Sequence, residues 1–196
     1  EIEEKLERVP HLPFLQGVEL KKFMLRQLTI TEMFKNDRLA GMDLVVMGSH
    51  GARGFRGVVG SNTQKIVRQA PMPVLVIKHH IDDFHVNDLV FASNFSEGDI
   101  TKFDAFLPVI TLFDPKVHLL KVNTPKNFER SEDTYKAIDR FLQRYELRRF
   151  TTTIYNDLSI EEGILNFAKG IDADMIAMAT HGRTGFFHVV NGSLTE

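Results

Sequence analysis

The chain has 196 residues, 43% of them hydrophobic, and carries 24 Lys and Arg against 26 Asp and Glu for a net charge of -2. That length and apolar content suffice for two small domains of roughly 100 residues each, and the near-neutral charge excludes a general nucleic-acid binder, which would be basic. With no cysteine a disulfide framework and thiolate chemistry are excluded, and apolar runs of about six residues are far too short to span a membrane; a cytoplasmic location is the default expectation.

In chain order, Glu1–Arg8 is charged with Ile2, Leu6 and Val9 at helical spacing, and Pro10 and Pro13 break that helix. Val18–Leu25 alternates and reads as a strand; Thr31–Leu39 reads as a helix. Asp43–Gly48 is a short apolar run rich in Val, too short for a helix, and reads as a buried strand. Gly48, Gly51, Gly54, Gly57 and Gly60 follow, so the turn is free to adopt positive φ and to bring bare backbone close to a ligand. Ser61 and Asn62 are N-cap residues for a helix through Thr63–Gln69. Pro71 and Pro73 stop it, and Val74–Ile77 is a second buried strand. A strand, a glycine-rich turn and a helix N-terminus in succession offer free amides and a helix dipole to an anion. A plain βα connection, with glycines for tight packing, is the competing reading at this point.

The segment HHIDDFH, His79–His85, is read as a solvated linker rather than a metal site, because adjacent residues of an extended segment point to opposite sides. Beyond it, Asp88–Ala92 reads as a buried strand and Ser93–Ser96 as a turn in which Ser96 caps the next helix. Ile100–Phe113 is expected as one helix with Phe103, Phe106, Leu107 and Ile110 on one face, followed by a strand over Val117–Val122. Glu129–Arg149 is a long charged helix with an apolar stripe of Tyr135, Ile138, Phe141, Leu142 and Tyr145. Phe150–Tyr155 is a strand, Glu161–Lys169 a helix closed by Gly170, and Asp174–Met178 a strand. Strands and helices alternate throughout, which requires parallel sheets covered on both faces. Ligands of such sheets sit beyond the carboxyl ends of the strands, where the strand order reverses. The first and fourth strands of the second half are expected to flank that point.

The tail repeats the first glycine segment. Asp43 recurs as Asp174, Met47 as Met178, His50 as His181, Gly51 as Gly182, Gly54 as Gly185 and Phe55 as Phe186. After a single gap at Asn191, Gly60 recurs as Gly192, Ser61 as Ser193 and Thr63 as Thr195. Two copies of one unit are present. The chain begins without methionine inside a helical pattern and ends just after the second glycine segment, so both copies are expected to be incomplete.

These residues resemble the universal stress protein (UspA-like) family in its tandem-domain form, whose signature is Gly-x2-Gly-x9-Gly-Ser/Thr followed by a helix and a Pro-Val-Leu-Val strand. Gly48, Gly51, Gly60, Ser61 and Pro73–Val76 match it in the first copy; Gly182, Gly192 and Ser193 match it in the second. The resemblance implies two Rossmann-like α/β domains of the adenine nucleotide alpha hydrolase-like kind: residues 1–80 with the N-terminal part missing, a linker at 81–87, and residues 88–196 with the C-terminal part missing. It implies a binding or signalling module of the stress response, not a dedicated enzyme, with weak ATP hydrolysis at most. The ligand would be ATP or another adenine nucleotide, with or without Mg2+. Met47, Gly48, Gly51, Gly60, Ser61 and Thr63 would contact it in the first copy. In the second copy the contacts would be Asn94, the backbone near Val122, Met178, Gly182, Gly192, Ser193 and Thr195. It also implies that Val74–Ile77 faces an equivalent strand in an intramolecular pseudo-dimer, with homo-oligomers as a further option.

Three departures weaken that pattern. Asn94 stands where nucleotide-binding members carry Asp, Ala179 replaces the first glycine of the second copy, and only eight residues separate Gly51 from Gly60 where the family has nine. They favour an alternative, a degenerate stress protein acting as a scaffold or binding another small molecule. No catalytic set stands out. His50 and His181 are read as bonding the turn backbone, Phe55 and Phe186 as anchoring the turns to the core, and Arg53, Arg56 and Arg183 as exposed turn residues that could pair with phosphate. An ATP-pyrophosphatase would need Ser-Gly-Gly-x-Asp-Ser after the first strand, which Ser93-Asn94-Phe95-Ser96 does not resemble.

Overall fold

The computed structural model describes residues 4, 7–21, 30–39, 41–48, 61–78 and 84–178. Residues Glu1–Ala40 and Gly41–Glu196 form separate compact units.

In the first unit Glu4, Glu7 and Arg8 are helical, as the sequence predicts, and Arg8 lies 3.6 Å from Glu4 one turn away. Two 3-10 turns follow, Val9–His11 and Pro13–Leu15, each with a proline at its start, where the missing N–H costs no bond. The strand expected at Val18–Leu25 is not found over residues 18–21, which have no regular structure; residues 22–29 lie outside the described residues. The helix expected over Thr31–Leu39 is shorter: α1 spans Ile30–Phe34, and Asp37–Leu39 forms a 3-10 turn.

The second unit opens with β1 (Val45–Gly48), α2 (Ser61–Gln69) and β2 (Val74–Ile77). Helix α2 includes Ser61 and Asn62, which therefore lie within it instead of preceding it. Strands β1 and β2 pair in parallel, from Val45 opposite Val74 to Gly48 opposite Ile77. Among the described residues β2 pairs with β1 alone.

A four-stranded parallel sheet follows, built from β3 (Asp88–Ala92), β4 (Lys116–Asn123), β5 (Phe150–Asn156) and β6 (Met175–Met178) in the order β5-β4-β3-β6. Its helices are α3 (Glu97–Phe103), α4 (Leu107–Phe113), α5 (Ser131–Arg144) and α6 (Ile160–Gly170). The period-two alternation of the strands divides the core. Leu89, Phe91, Val117 and Leu119 face Ile100, Phe103, Ile138, Phe141 and Tyr145 on one side. Val90, Ala92, Leu120 and Val122 face Ile164 and Ala168 on the other. The aromatic centre is tight, with the Phe91 ring 4.7 Å from Phe103 and 5.8 Å from Phe141, edge-to-face and stacked geometries that add to simple burial.

The expected Ile100–Phe113 helix is broken by a 3-10 turn at Asp104–Phe106. Pro108 explains the break: it has no N–H for the Asp104 carbonyl, four residues earlier, and its ring crowds that group. The face itself is as expected, since Phe103 is buried in the core and Phe106, Leu107 and Ile110 pack against it. Helix α5 is shorter than the predicted Glu129–Arg149, and Tyr135 is 47% exposed instead of joining the stripe; Thr134 and Ala137 are buried in its stead. Helix α6 runs through Gly170, and the left-handed residue that turns the chain into β6 is Asp172 (φ 52), not the glycine. Among the described residues no helix is long and apolar enough to cross a membrane.

Candidate functional site

The order β5-β4-β3-β6 reverses at β3: β4 and β5 lie on one side of it and β6 on the other. Ala92 is in register with Met178, so the carboxyl ends of β3 and β6 stand side by side. Such a reversal leaves an open crevice above the strands, and here the Ser93–Ser96 turn rises on one side of it. Ser96 caps α3 by accepting the Asp99 amide at 3.3 Å, as its sequence position predicts. Ser93 Oγ accepts the Phe95 amide at 2.9 Å, and Phe95 takes a positive φ of 54° that buries its ring.

Asn94 is exposed at this rim, and its Oδ1 accepts from Lys121 Nζ at 3.0 Å. Lys121 extends from β4 with only 7% of its side chain exposed, and its ammonium also meets Glu129 Oε2 at 2.7 Å. Asn123, two residues on along the same face, donates from Nδ2 to the Glu129 carbonyl at 3.0 Å. The Asn123 Oδ1 is buried with no partner among the described residues. Lys121, Glu129 and Asn123 escaped the sequence reading. The available signal was a lysine inside the buried run VHLLKV, since a buried ammonium requires a paired acceptor.

The other expected site residues are distributed as follows. Met47 and Gly48 end β1. Gly48 has extended backbone, and among the described residues a Cβ there would meet nothing within 4 Å, so the positive φ expected of the glycine segment does not extend to it. Thr63 is buried in α2. Val122 is buried against α6, in register with Tyr155. Met178 packs on the α6 side of the core. Gly51, Gly60, Gly182, Gly192, Ser193 and Thr195 lie outside the described residues, as do His50, His181, Ala179 and the turn arginines and phenylalanines.

A second polar chain runs at the opposite, amino end of the sheet. His118 Nε2 is 2.8 Å from Asp88 Oδ1, and its Nδ1 is 2.8 Å from Thr151 Oγ1. Both ring nitrogens are satisfied across three strands, which is what a buried imidazole requires. His85, in the expected linker, lies 3.5 Å from Asp174, whose carboxylate also accepts the amides of Asn87 and Asp88. Among the described residues no group of His, Asp and Glu is placed to hold a metal ion. The rim cluster suits phosphate or carbonyl oxygens better than Mg2+: its donors are an amide and an ammonium, and its one carboxylate, Glu129, is engaged by Lys121.

Comparison with known proteins agrees with this topology. The chain is 23% identical over 162 residues to universal stress protein Slr1230 of a Synechocystis strain, a match covering 81% of this chain and 55% of that protein; the chain therefore spans about half the length of this relative. It superposes on the crystal structure of a universal stress protein from Archaeoglobus fulgidus DSM 4304 with a TM-score of 0.64 at 19% identity, covering 99% of this chain and 71% of that one. A functionally unknown protein from Pseudomonas aeruginosa PAO1 gives a TM-score of 0.64 at 16% identity, with coverage of 99% and 72%. Residues 37–78, which hold β1, the first glycine turn, α2 and β2, match the Universal stress protein family, and the α/β fold with parallel sheets is the one seen in these structures.

Proposed function

We propose that this chain is a tandem universal stress protein, a cytoplasmic module that binds ATP or another adenine nucleotide and signals through that binding. Its domains are residues 1–80 and 88–196 joined by the linker 81–87, packed as an intramolecular pseudo-dimer through Val74–Ile77. Universal stress proteins are in general non-enzymatic, and turnover of ATP is not part of the proposed role.

The observation that carries the reading is the register of Ala92 with Met178 at the reversal of strand order. The repeated glycine segment follows that strand end directly, so its amides would open onto the same crevice. The first copy, which keeps Gly48, Gly51, Gly60 and Ser61 in sequence, is the preferred site. Lys121 occupying the Asn94 oxygen favours a second reading for the second copy alone: its crevice has drifted toward scaffolding or another small molecule.

Melting curves with ATP, with and without Mg2+, test the proposal. A ligand that binds only the folded chain raises its stability by about 2.7 kcal/mol at a hundredfold excess over Kd. The shift is expected to disappear in Gly51→Val and to survive in Gly182→Val. No shift in the parent chain with any adenine nucleotide would remove the nucleotide reading.

A further inference from the structure

We propose that the outer edge of β5 is a pairing surface for a second copy of this chain, joined strand to strand about a two-fold axis at Thr153. Strand β5 (Phe150–Asn156) ends the order of the four-stranded sheet, and among the described residues it pairs with β4 alone. The Arg149 carbonyl accepts the Val117 amide at 2.9 Å, and the Asp157 amide donates to the Asn123 carbonyl at 3.0 Å. Backbone groups alternate in direction along a strand, so the odd-numbered residues between those two bond inward to β4. Phe150, Thr152, Ile154 and Asn156 therefore turn their amides and carbonyls outward, a row that is a template for another strand. Sheet edges are commonly guarded by lysine, proline, a bulge or brevity. FTTTIYN has seven residues, none of them charged or proline, and its register with β4 runs unbroken. The Phe150 side chain at its start is 41% exposed.

The flanking charges select the partner and its direction. Arg148 and Arg149 precede the strand and Asp157 follows it. Asp157 accepts from the amides of Leu158 and Asn166, and Arg149 donates to the Asp114 carbonyl, so among the described residues neither charge is neutralised. A second β5 laid antiparallel, with Thr153 opposite Thr153, sets Phe150 opposite Asn156 and Thr152 opposite Ile154. Every outward amide and carbonyl is then paired. The same register brings Arg149 of each chain beside Asp157 of the other, once at each end. On the α6 face Thr151 meets Tyr155 and Thr153 meets its own copy, side-chain pairs that stabilise a sheet. A parallel arrangement would set Arg149 beside Arg149, and a slip of two residues would leave outward groups unpaired and separate the charges. Two-fold pairing closes on itself and gives a dimer, not a fibre. Val74–Ile77 is a different edge, and the pairing requires no nucleotide.

The test uses the full chain in sedimentation velocity from about 1 to 500 μM, because strand-edge interfaces are small and weak. Amide exchange is followed residue by residue by NMR at both ends of that range. A concentration-dependent dimer is expected, with exchange slowed at Thr152 and Ile154 as it forms. Thr152→Pro removes one outward amide and no bond to β4, and is expected to abolish the dimer. Arg149→Asp and Asp157→Arg each set like charges together, and each alone is expected to weaken dimerisation by about tenfold or more. An equimolar mixture of those two variants pairs opposite charges at both ends and is expected to restore the dimer as a heterodimer. The charge variants carry the test should Thr152→Pro fail to fold, and the proline variant carries it should either of them fail. A chain that stays monomeric throughout would overturn the pairing. So would a dimer that leaves exchange at Thr152 and Ile154 unchanged, one that the folded variants form as well as the parent, or charge variants that mixing does not rescue.

Discussion

Val46 and Ala177 are the same position of the repeated unit, the second residue of β1 and the third of β6, yet Val46 is 60% exposed and Ala177 is 4% exposed. The sequence around both is alike; the neighbours differ. Ala177 lies in register with Phe91 of β3 and packs into the aromatic core beneath α3 and α5. Val46 pairs with Leu75 in a two-stranded sheet. A fourth strand of this topology is thus buried by the first strand and the helices that come with it, not by its own apolar sequence.

The sharpest way to break the comparison is to put one charge at both positions. Ala177→Asp buries a carboxylate without a partner and is expected to cost about 4 kcal/mol or more in urea unfolding. Val46→Asp is expected to cost less than about 1 kcal/mol, because its side chain keeps its water. Equal costs would mean that the two strands are equally covered.

A smaller effect probes the α6 face of the larger sheet. Gly163 lets α6 approach β4 so closely that a Cβ would lie 2.5 Å from Val122 Cγ1 and 3.1 Å from Asp157 Cβ. Gly163→Ala is expected to destabilise by about 1–3 kcal/mol through overpacking, despite the better helix propensity of alanine. A stabilised variant would show that the contact yields easily.

The smallest concerns the clasp on the opposite face. The Tyr145 hydroxyl lies 2.6 Å from both the Ile100 carbonyl and Asp104 Oδ1, donating to one at a time. Burial, then the hydrogen bond to Asp104 and that residue's negative charge, push its pKa from 10.0 up to about 12. The native state therefore keeps the phenolic proton over a range where the unfolded chain has lost it. That contribution is fully present below pH 10 and is lost as pH rises toward 12. Tyr145→Phe is expected to cost about 1 kcal/mol at neutral pH and to flatten this alkaline loss, as read from unfolding curves across that range. An unchanged alkaline slope would assign the titration to other groups.

Most strands were legible because their apolar runs are too short for a helix; Val74–Ile77 and Asp88–Ala92 have the predicted boundaries. Helix limits were less so, since they depend on single residues whose effect is tertiary. Tyr135 fits the apolar period of α5 but lies beyond the buried arc that Ile138 and Phe141 define, and Asp172 takes the left-handed turn that Gly170 was expected to take. At the rim, Asn94 was legible from its place after β3. Its engagement was not, because Lys121 reaches it across the pairing of β3 with β4, and Glu129 reaches that lysine from a loop, neither of which sequence spacing reveals.

The central claim, that a repeated glycine turn opens onto the mouth of a parallel sheet to take an adenine nucleotide, is tested most directly by titrating the full chain with ATP in a calorimeter. The account predicts a saturable heat with one or two sites per chain. A flat titration up to about 1 mM, the weakest range in which specific recognition is measurable, would contradict it.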